Sequence, residues 1–306
     1  MLLTLLGTGC PVAHVARFGP AQLVRHDDTA IVIDCGSGVT QRLVAAGCPG
    51  KQIDALLLTH LHSDHLVDLY QLVVSSWHQG RDRPQRVFGP PGTRRFVEGT
   101  MALWKPELDL RITHERRPST AALEIEVTEI AAGERLSFGP VTVDVVEVDH
   151  KPVRHAFGFV CSGGGRRIAL SGDTRRCEAL IAAARGVEVL VHETFIHREL
   201  PVTPGVRSAE TVRNVMSYHT VSDEVGKIAR EAGVGCLVLT HFVPPTFDRA
   251  ALLGEVRRDF AGPILIGEDL MSVDAGTGAV DWPSAGGGGA RLGLGGWPEP
   301  GAAPSF

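Results

Sequence analysis

Short apolar runs alternate with polar loops along most of the chain. Apolar runs bounded by Gly, Pro and Asp predict β-strands, because the bounding residues favour turns. In the first half the predicted strands are residues 2–6, 21–24, 30–33, 53–58, 86–88, 123–130, 134–138 and 141–148. In the second half they are residues 156–161, 166–170, 188–191 and 236–239. We expect the three strands between residues 123 and 148 to be antiparallel.

Apolar residues at helical spacing predict helices between these strands. The helices pass through Leu43 and Val44, cover 66–77, lie near 93–101, and cover 177–184, 221–231 and a stretch from Asp248. Two halves of strands and helices predict two mixed sheets face to face with helices outside, an α+β four-layer αββα sandwich. We assign this domain to residues 1–274, with a long loop at 195–218. The Gly/Pro-rich residues 275–306 are predicted to be a disordered tail without a catalytic role.

Composition narrows the class of protein. The chain of 306 residues has a formal net charge of -5, so it lacks the basic character of a general nucleic-acid binder. Between Arg81 and Arg117, nine Lys/Arg outnumber five Asp/Glu, which indicates a solvated basic surface or, less favoured, steering of an anionic substrate. The six cysteines form no C-x-x-C pair, residues 1–6 are too short for a signal peptide, and no run is long enough for a membrane span. We therefore predict a cytoplasmic protein.

The most informative segment is Thr59-His-Leu-His-Ser-Asp-His65, between a predicted strand and a predicted helix. It holds four potential metal ligands, namely His60, His62, Asp64 and His65. His60 and His62 project the same way from an extended segment, because side chains there repeat with a period of two. Imidazoles and carboxylates without thiolates suit zinc, iron or manganese in a hydrolytic site better than a structural zinc. The segment therefore predicts two adjacent metal half-sites.

Further ligands are expected where other strands end. His150, Asp173 and His241 each follow a predicted strand. Such positions often carry site residues in α/β proteins. Taken singly, each has a plain structural alternative, since a histidine beside a strand is often only hydrogen-bonded and an aspartate is often a helix N-cap. Together with the His60 segment, the functional interpretation is favoured.

With these residues, the chain resembles the metallo-β-lactamase-fold hydrolases. The matching positions run in order through Asp34, the His60–His65 segment, His150, Asp173 and His241, up to about residue 274. Smaller details are similar to the ribonuclease Z and arylsulfatase-like branch, namely Leu5-Leu-Gly-Thr-Gly9, Phe88-Gly-Pro-Pro-Gly92, Ser171-Gly-Asp-Thr174, Val191-His-Glu-Thr194, His219-Thr220 and Leu239-Thr-His-Phe242.

The resemblance implies a complete site for two divalent metal ions. Zn²⁺ is favoured, with Mn²⁺ or Fe as alternatives. One ion would take His60, His62 and His150, the other would take Asp64, His65 and His241, and Asp173 would bridge them. Asp34 would orient a ligand histidine. A hydroxide bridging the two ions would be the nucleophile.

The same resemblance implies three catalytic residues. Asp64 would orient the nucleophile while acting as a ligand. His219 would stabilise developing charge or protonate the leaving oxygen, and Glu193 would hold His219 in orientation. Both helpers have structural alternatives, since Glu193 could cap its loop and His219 could cap the helix that begins near Val221.

The substrate is the least determined feature. Ribonuclease Z enzymes hold tRNA with a long arm, whereas Gly158 and Asp173 are separated here only by a predicted hairpin. We therefore expect a small anionic ester, an aryl sulfate or a phosphodiester, and disfavour a nucleic-acid substrate. The alternatives are ribonuclease Z-type processing of tRNA 3′ ends, hydrolysis of a lactone or carboxylic ester, and a catalytically silent metal-binding regulatory protein. We expect a homodimer without a membrane partner, and residues 195–218 could form a lid or a dimer contact.

Overall fold

The computed structural model describes residues 1–282 and 290–293. Among these residues, nine strands form one mixed sheet in the order β16-β15-β14-β1-β2-β3-β4-β5-β6. The strands are β1 (Leu2–Gly7), β2 (Ala21–His26), β3 (Thr29–Ile33), β4 (Ala55–Leu57), β5 (Gln85–Gly89), β6 (Ile125–Glu129), β14 (Ser272–Asp274), β15 (Ala279–Trp282) and β16 (Ala290–Gly293). Strands β3 to β6 are parallel, and the others pair antiparallel.

The second sheet contains seven strands of the described chain, in the order β13-β12-β11-β10-β9-β8-β7. They are β7 (Arg135–Phe138), β8 (Val141–Glu147), β9 (Phe157–Gly163), β10 (Arg166–Leu170), β11 (Val189–Phe195), β12 (Cys236–Val243) and β13 (Ile264–Ile266). Strands β10 to β13 are parallel, whereas β7 to β10 form antiparallel pairs.

The apolar core lies between the two sheets. Ile31 and Ile33 of the first sheet belong to one buried cluster with Phe159 and Val238 of the second. The intervening Val32 belongs to a different cluster, on the outer side of its sheet. This alternation follows from the two-residue period of a strand. Because both faces of the central strands are covered, those strands are continuous apolar runs in the sequence.

Helices cover the outer faces of both sheets. Three helices, α1 (Val39–Ala45), α2 (Leu69–His78) and α3 (Thr93–Glu115), pack against the first sheet. Another three, α4 (Glu178–Ala183), α6 (Ser222–Ala232) and α7 (Arg249–Arg257), pack against the second. The predicted four-layer αββα sandwich is therefore confirmed. None of the helices within the described ranges has the length and apolar content needed to cross a membrane.

Two predicted elements differ from the structure in the first half. Helix α3 continues to Glu115, well beyond the predicted end near residue 101. Pro106 lies inside this helix, and a proline usually ends or kinks a helix, although Trp104, Leu108 and Ile112 continue the helical spacing of apolar residues. The prediction for residues 123–148 is also wrong in part, because β6 pairs in parallel with β5 in the first sheet and not with β7.

The second half contains two further corrections. Residues 195–218, predicted to be a loop, include helix α5 (Ala209–Met216), whose N-cap Ser208 accepts a hydrogen bond from the amide of Thr211. The prediction that order ends at residue 274 is wrong for β15, which pairs with β14 and with β16. The rest of the predicted tail, residues 283–289 and 294–306, lies outside the described residues.

Candidate active site

The site residues gather at one edge of the sandwich because parallel strands end there. The loop with His60 to His65 follows β4, and Asp34 follows β3. In the second sheet Asp173 follows β10, while His241 lies near the end of β12. The carboxyl ends of parallel strands point the same way, so these loops meet between the two sheets.

One group of side chains contains His60, His62, His150 and Asp173. The Nε2 atom of His150 lies 3.3 Å from the Nδ1 atom of His62. The Oδ2 atom of Asp173 lies 3.9 Å from His60 Nε2 and 4.0 Å from His150 Nε2. The structure therefore brings together the three histidines that the resemblance assigned to the first metal and the aspartate that it assigned as the bridge.

The second group contains Asp64, His65 and His241. The Nε2 atoms of His65 and His241 lie 3.3 Å apart, and the Oδ2 atom of Asp64 is 3.4 Å from His241 Nε2. The Oδ2 atom of Asp173 also belongs here, since it lies 3.4 Å from His65 Nε2 and 3.3 Å from His241 Nε2. One carboxylate oxygen thus faces both groups.

The chemistry of these donors fits divalent cations. The Nε2 atom of His60 is buried and has no hydrogen-bond partner. Burial and the neighbouring His65 lower the pKa of the His60 imidazole well below its ordinary value, so its nitrogen presents a lone pair. Burial opposes ionisation of Asp173, but His241 and His65 outweigh it and hold the pKa of its carboxyl well below the usual range. Facing lone pairs and carboxylates are unfavourable unless a cation lies between them.

Comparison with known proteins agrees with this geometry. A model of the family described as anti-Pycsar protein Apyc1 matches residues 1–204. A ribonuclease Z from Mycobacterium sp. (strain KMS) is 39% identical over 287 residues, covering 92% of this chain and 99% of that protein. The chain belongs to the metallo-β-lactamase-fold metallohydrolases, in the family described as anti-Pycsar protein Apyc1.

Solved structures show the same fold for this metallohydrolase. The metallo-β-lactamase fold protein YhfI from Bacillus subtilis has a TM-score of 0.69 at 19% identity, covering 89% of this chain and 99% of that chain. The short form of human tRNase Z has a TM-score of 0.66 at 20% identity, covering 90% of this chain and 99% of that chain. The predicted superfamily is confirmed. Within the predicted branch, the 39% identical relative is named ribonuclease Z.

Contacts behind the cluster fix two imidazoles of the metallohydrolase. Asp34 has a φ of 61°, a left-handed conformation that aspartate tolerates better than most residues. From there its Oδ2 atom accepts a hydrogen bond of 2.8 Å from His65 Nδ1. The Nδ1 atom of His150 donates to the carbonyl oxygen of Tyr218 at 2.8 Å. Each contact leaves the Nε2 atom of the ring facing the cluster.

His241 reaches the cluster through an irregularity in β12. Glu193 of β11 pairs with Thr240, and the next residue, Thr194, pairs with Phe242, so His241 is an extra residue. Its φ of 47° is uncommon for histidine. A β-bulge re-aims a side chain in this way, and strain of this kind concentrates at functional sites. The sequence predicted that His241 follows the end of a strand. In the structure His241 lies inside β12.

Glu193 and His219 form a buried pair beside the cluster. The Nδ1 atom of His219 lies 2.9 Å from both carboxylate oxygens of Glu193, and Glu193 also accepts from the amide of Thr174 at 2.7 Å. Burial lowers the pKa of His219, but the charge and hydrogen bond of Glu193 outweigh it and raise that pKa overall. Helix α6 has no side-chain cap, so the suggestion that His219 caps it is wrong.

A cleft of about 960 Å³, partly open to solvent, leads to the cluster. Its floor includes His62, Asp64, Asp173, His219 and His241. One wall comes from the segment at 195–218, with Leu200, Pro201, Arg207, Val215 and Tyr218. Cys10, Pro11 and Val12 of the loop after β1 line it as well. The segment at 195–218 therefore borders the cleft that leads to the cluster of the same chain.

The basic stretch between residues 81 and 117 does not supply a cluster of unpaired cations. Arg81 is buried and donates to main-chain carbonyls, including those of Ile53 and Pro84. Arg83 pairs with Asp54, and Arg117 pairs with Glu115. Arg83 and Arg117 therefore have partners of opposite charge nearby, whereas Arg81 is buried and is not part of a solvated surface.

Sequence reasoning missed two residues of the metallohydrolase site. Thr59 stands directly before the histidine cluster, and its hydroxyl contacts both Asp34 and His60. Tyr218, directly before His219, lines the cleft and orients His150 through its carbonyl. The position of Thr59 next to His60 could have identified it as a site residue. The contact of Tyr218 could not be predicted, because a main-chain carbonyl is present in every residue type.

Proposed function

We propose that this metallohydrolase uses two divalent cations to hydrolyse phosphodiester bonds. The observation that carries the proposal is the placement of Asp173 Oδ2 within 4.0 Å of ring nitrogens from both His/Asp groups. One cation would be held by His60, His62 and His150, the other by Asp64, His65 and His241, with Asp173 shared. The 39% identical relative named ribonuclease Z supports a phosphodiester as the bond that is cleaved.

Bound cations of this kind supply Lewis-acid polarisation of a phosphoryl oxygen and lower the pKa of water. The residues of the chain supply the rest. Asp64 lines the cleft, where its carboxylate can accept a hydrogen bond from the attacking water. Glu193 raises the pKa of the His219 imidazole, which favours its protonated form. Since Nδ1 is bonded to Glu193, the Nε2–H of His219 is the atom available to donate to the leaving oxygen as the P–O bond breaks.

The first candidate substrate is precursor tRNA, cleaved in the manner of a ribonuclease Z. This candidate is supported by the relative named ribonuclease Z, because the match covers 99% of that protein. This reverses our preference from the sequence, where a small ester was favoured over nucleic acid. Sulfate esters, lactones and carboxylic esters have no counterpart among the relatives reported above.

A small phosphodiester is the second candidate, and one observation favours it. Strands β9 and β10 are joined by a tight turn at Gly164 and Gly165, so no arm extends from this hairpin. A substrate that needs only the cleft would not require one. The formal net charge of -5 agrees with this candidate.

A side-by-side rate comparison tests the proposal. The metal-replete protein is given precursor tRNA, bis(p-nitrophenyl) phosphate, p-nitrophenyl sulfate and an aryl lactone. We expect the two phosphodiesters to be hydrolysed faster than the sulfate and the lactone, and Asp173→Ala to abolish turnover. Asp144→Ala, which removes an exposed partner of Arg135, is the matched control and should be unaffected.

The outcomes separate the candidates. Cleavage of precursor tRNA at the discriminator base supports the first, and turnover of the aryl diester alone supports the second. A faster sulfate or lactone reaction contradicts the proposal. Two bound cations without turnover of any substrate would identify a silent metal-binding protein.

A further inference from the structure

A network of hydrogen bonds behind the metal cluster is centred on Thr59. Its amide donates to Asp34 Oδ1 at 2.8 Å, and its hydroxyl lies 2.9 Å from Asp34 Oδ2. The same hydroxyl oxygen lies 3.0 Å from the Nδ1 atom of His60. Thr59, Asp34 and His60 are all at most 2% exposed, so water does not compete for these contacts.

The direction of each hydrogen bond follows from the proton count. An ionised carboxylate only accepts, so the single hydroxyl proton of Thr59 goes to Asp34. The Thr59 oxygen then accepts from His60, which must carry its proton on Nδ1. This leaves the Nε2 atom of His60 as a lone pair, and that atom is buried without any other partner. Thr59 thereby selects the tautomer of His60 that can bind a cation.

Asp34 also accepts from His65 Nδ1 at 2.8 Å. One carboxylate therefore orients an imidazole in each group, His65 directly and His60 through the hydroxyl of Thr59. We infer that Thr59 is a positioning residue that makes the His60, His62 and His150 site competent to hold its cation. This inference rests on the proposed two-cation site. Removing the hydroxyl leaves the direct contact between Asp34 and His65 in place.

Thr59→Val tests this, because valine keeps the shape of threonine and removes only the hydroxyl. Zn²⁺ is titrated into the apoprotein and its two binding steps are measured. We expect one step to weaken by about 10–100-fold, as is usual when a group that orients a ligand histidine is lost. The other step should keep the wild-type affinity. Thr59→Ser should restore both steps, since serine keeps the hydroxyl.

Thr40→Val is the matched control. Thr40 is also buried, and its amide and hydroxyl both donate to one carboxylate, that of Asp68, at 2.7 and 2.6 Å. Its loss should lower stability in a similar way and leave both Zn²⁺ affinities unchanged. Both of these side-chain hydrogen bonds end at Asp68, which is not one of the proposed ligands.

Two backgrounds assign the weakened step. In His241→Ala, which damages the second group, adding Thr59→Val should still weaken the remaining site. In His62→Ala, which damages the first, it should have no further effect. The inference is overturned if Thr59→Val leaves both steps unchanged, weakens both equally, or is not rescued by serine. If the wild-type protein itself does not bind two Zn²⁺ ions, the proposed function fails instead.

Discussion

The Nδ1 atom of His219 lies 2.9 Å from both carboxylate oxygens of Glu193, in a buried position beside Asp173. A histidine held in this way has a fixed ring orientation and a raised pKa. Its Nδ1 atom is also 4.0 Å from Asp173 Oδ2, so two roles can be compared, proton donor and additional ligand.

His219→Asn should lower kcat by about 10²–10⁴-fold if the imidazole donates a proton in the transition state. Bound metal should stay at the wild-type level, because the seven nitrogen and oxygen ligands of the two groups are unchanged. Parallel measurement of kcat and of metal content by mass spectrometry checks this. Loss of one equivalent of metal would instead show that His219 is a ligand.

Glu193→Gln should reproduce much of the kcat loss, because an amide cannot stabilise a protonated imidazole as a carboxylate does. The glutamine side chain keeps the shape of glutamate, and its carbonyl oxygen can still accept the hydrogen bond from the main-chain N–H of Thr174. A kcat equal to that of the wild-type protein would contradict the pairing as a functional one. Glu188→Gln, which removes a partner of Arg166 elsewhere in the second sheet, is the control.

Metal removal should destabilise the protein, because a cation that binds only the folded state adds about 2.7 kcal/mol when its concentration is 100 times its Kd. Asp173→Ala should lower the metal content more than His62→Ala does, since its oxygen faces both groups. Thermal unfolding with and without chelator, together with metal analysis, measures both effects. Wild-type metal content and turnover in both variants would exclude this site.

Arg207→Ala should raise KM for an anionic substrate and leave kcat nearly unchanged, because this guanidinium lines the cleft away from the buried cluster. Added salt should reduce the difference between the variant and the wild-type protein. Arg213 lies on α5 with an exposed side chain outside the cleft lining, so Arg213→Ala is the matched control. Equal changes in KM from both variants would point to general surface charge.

Glu255 provides a prediction about stability and pH. Burial raises the pKa of its carboxyl, but the hydrogen bonds from Arg198 and Ser222 outweigh it and lower that pKa overall. The ionised form is therefore favoured in the folded state, so its contribution is present above the unfolded value and is lost as pH falls through the folded value. Glu255→Gln should cost about 1–3 kcal/mol of unfolding free energy at pH 7.

The difference in unfolding free energy between Glu255→Gln and the wild-type protein should shrink as the pH is lowered below the ordinary glutamate value. Denaturant unfolding at pH 7 and at acidic pH gives this difference. The exposed Glu178, which pairs with Arg176, supplies the control Glu178→Gln. A difference that does not depend on pH would show that the charge of Glu255 contributes nothing.

Much of the site could be predicted because its signal is local. His60 to His65 stand together in sequence, and Asp34 and Asp173 follow apolar strands whose ends converge. The position of His241 could be inferred, but its bulge could not, since pairing of β11 with β12 decides it. Likewise, the pairing of β6 depends on which sheet has a free edge. These contacts join segments that lie far apart in the sequence, so a pattern along the chain does not reveal them.

The two sheets contribute separate parts of the cluster, with His60 to His65 on loops of the first and His150, Asp173 and His241 on the second. Neither half of the chain carries all the residues of either His/Asp group, because Asp173 and His241 complete the second group and His150 completes the first. Metal uptake during refolding is therefore a readout of sheet docking. Two fragments divided between β6 and β7 should bind cations tightly only after they associate.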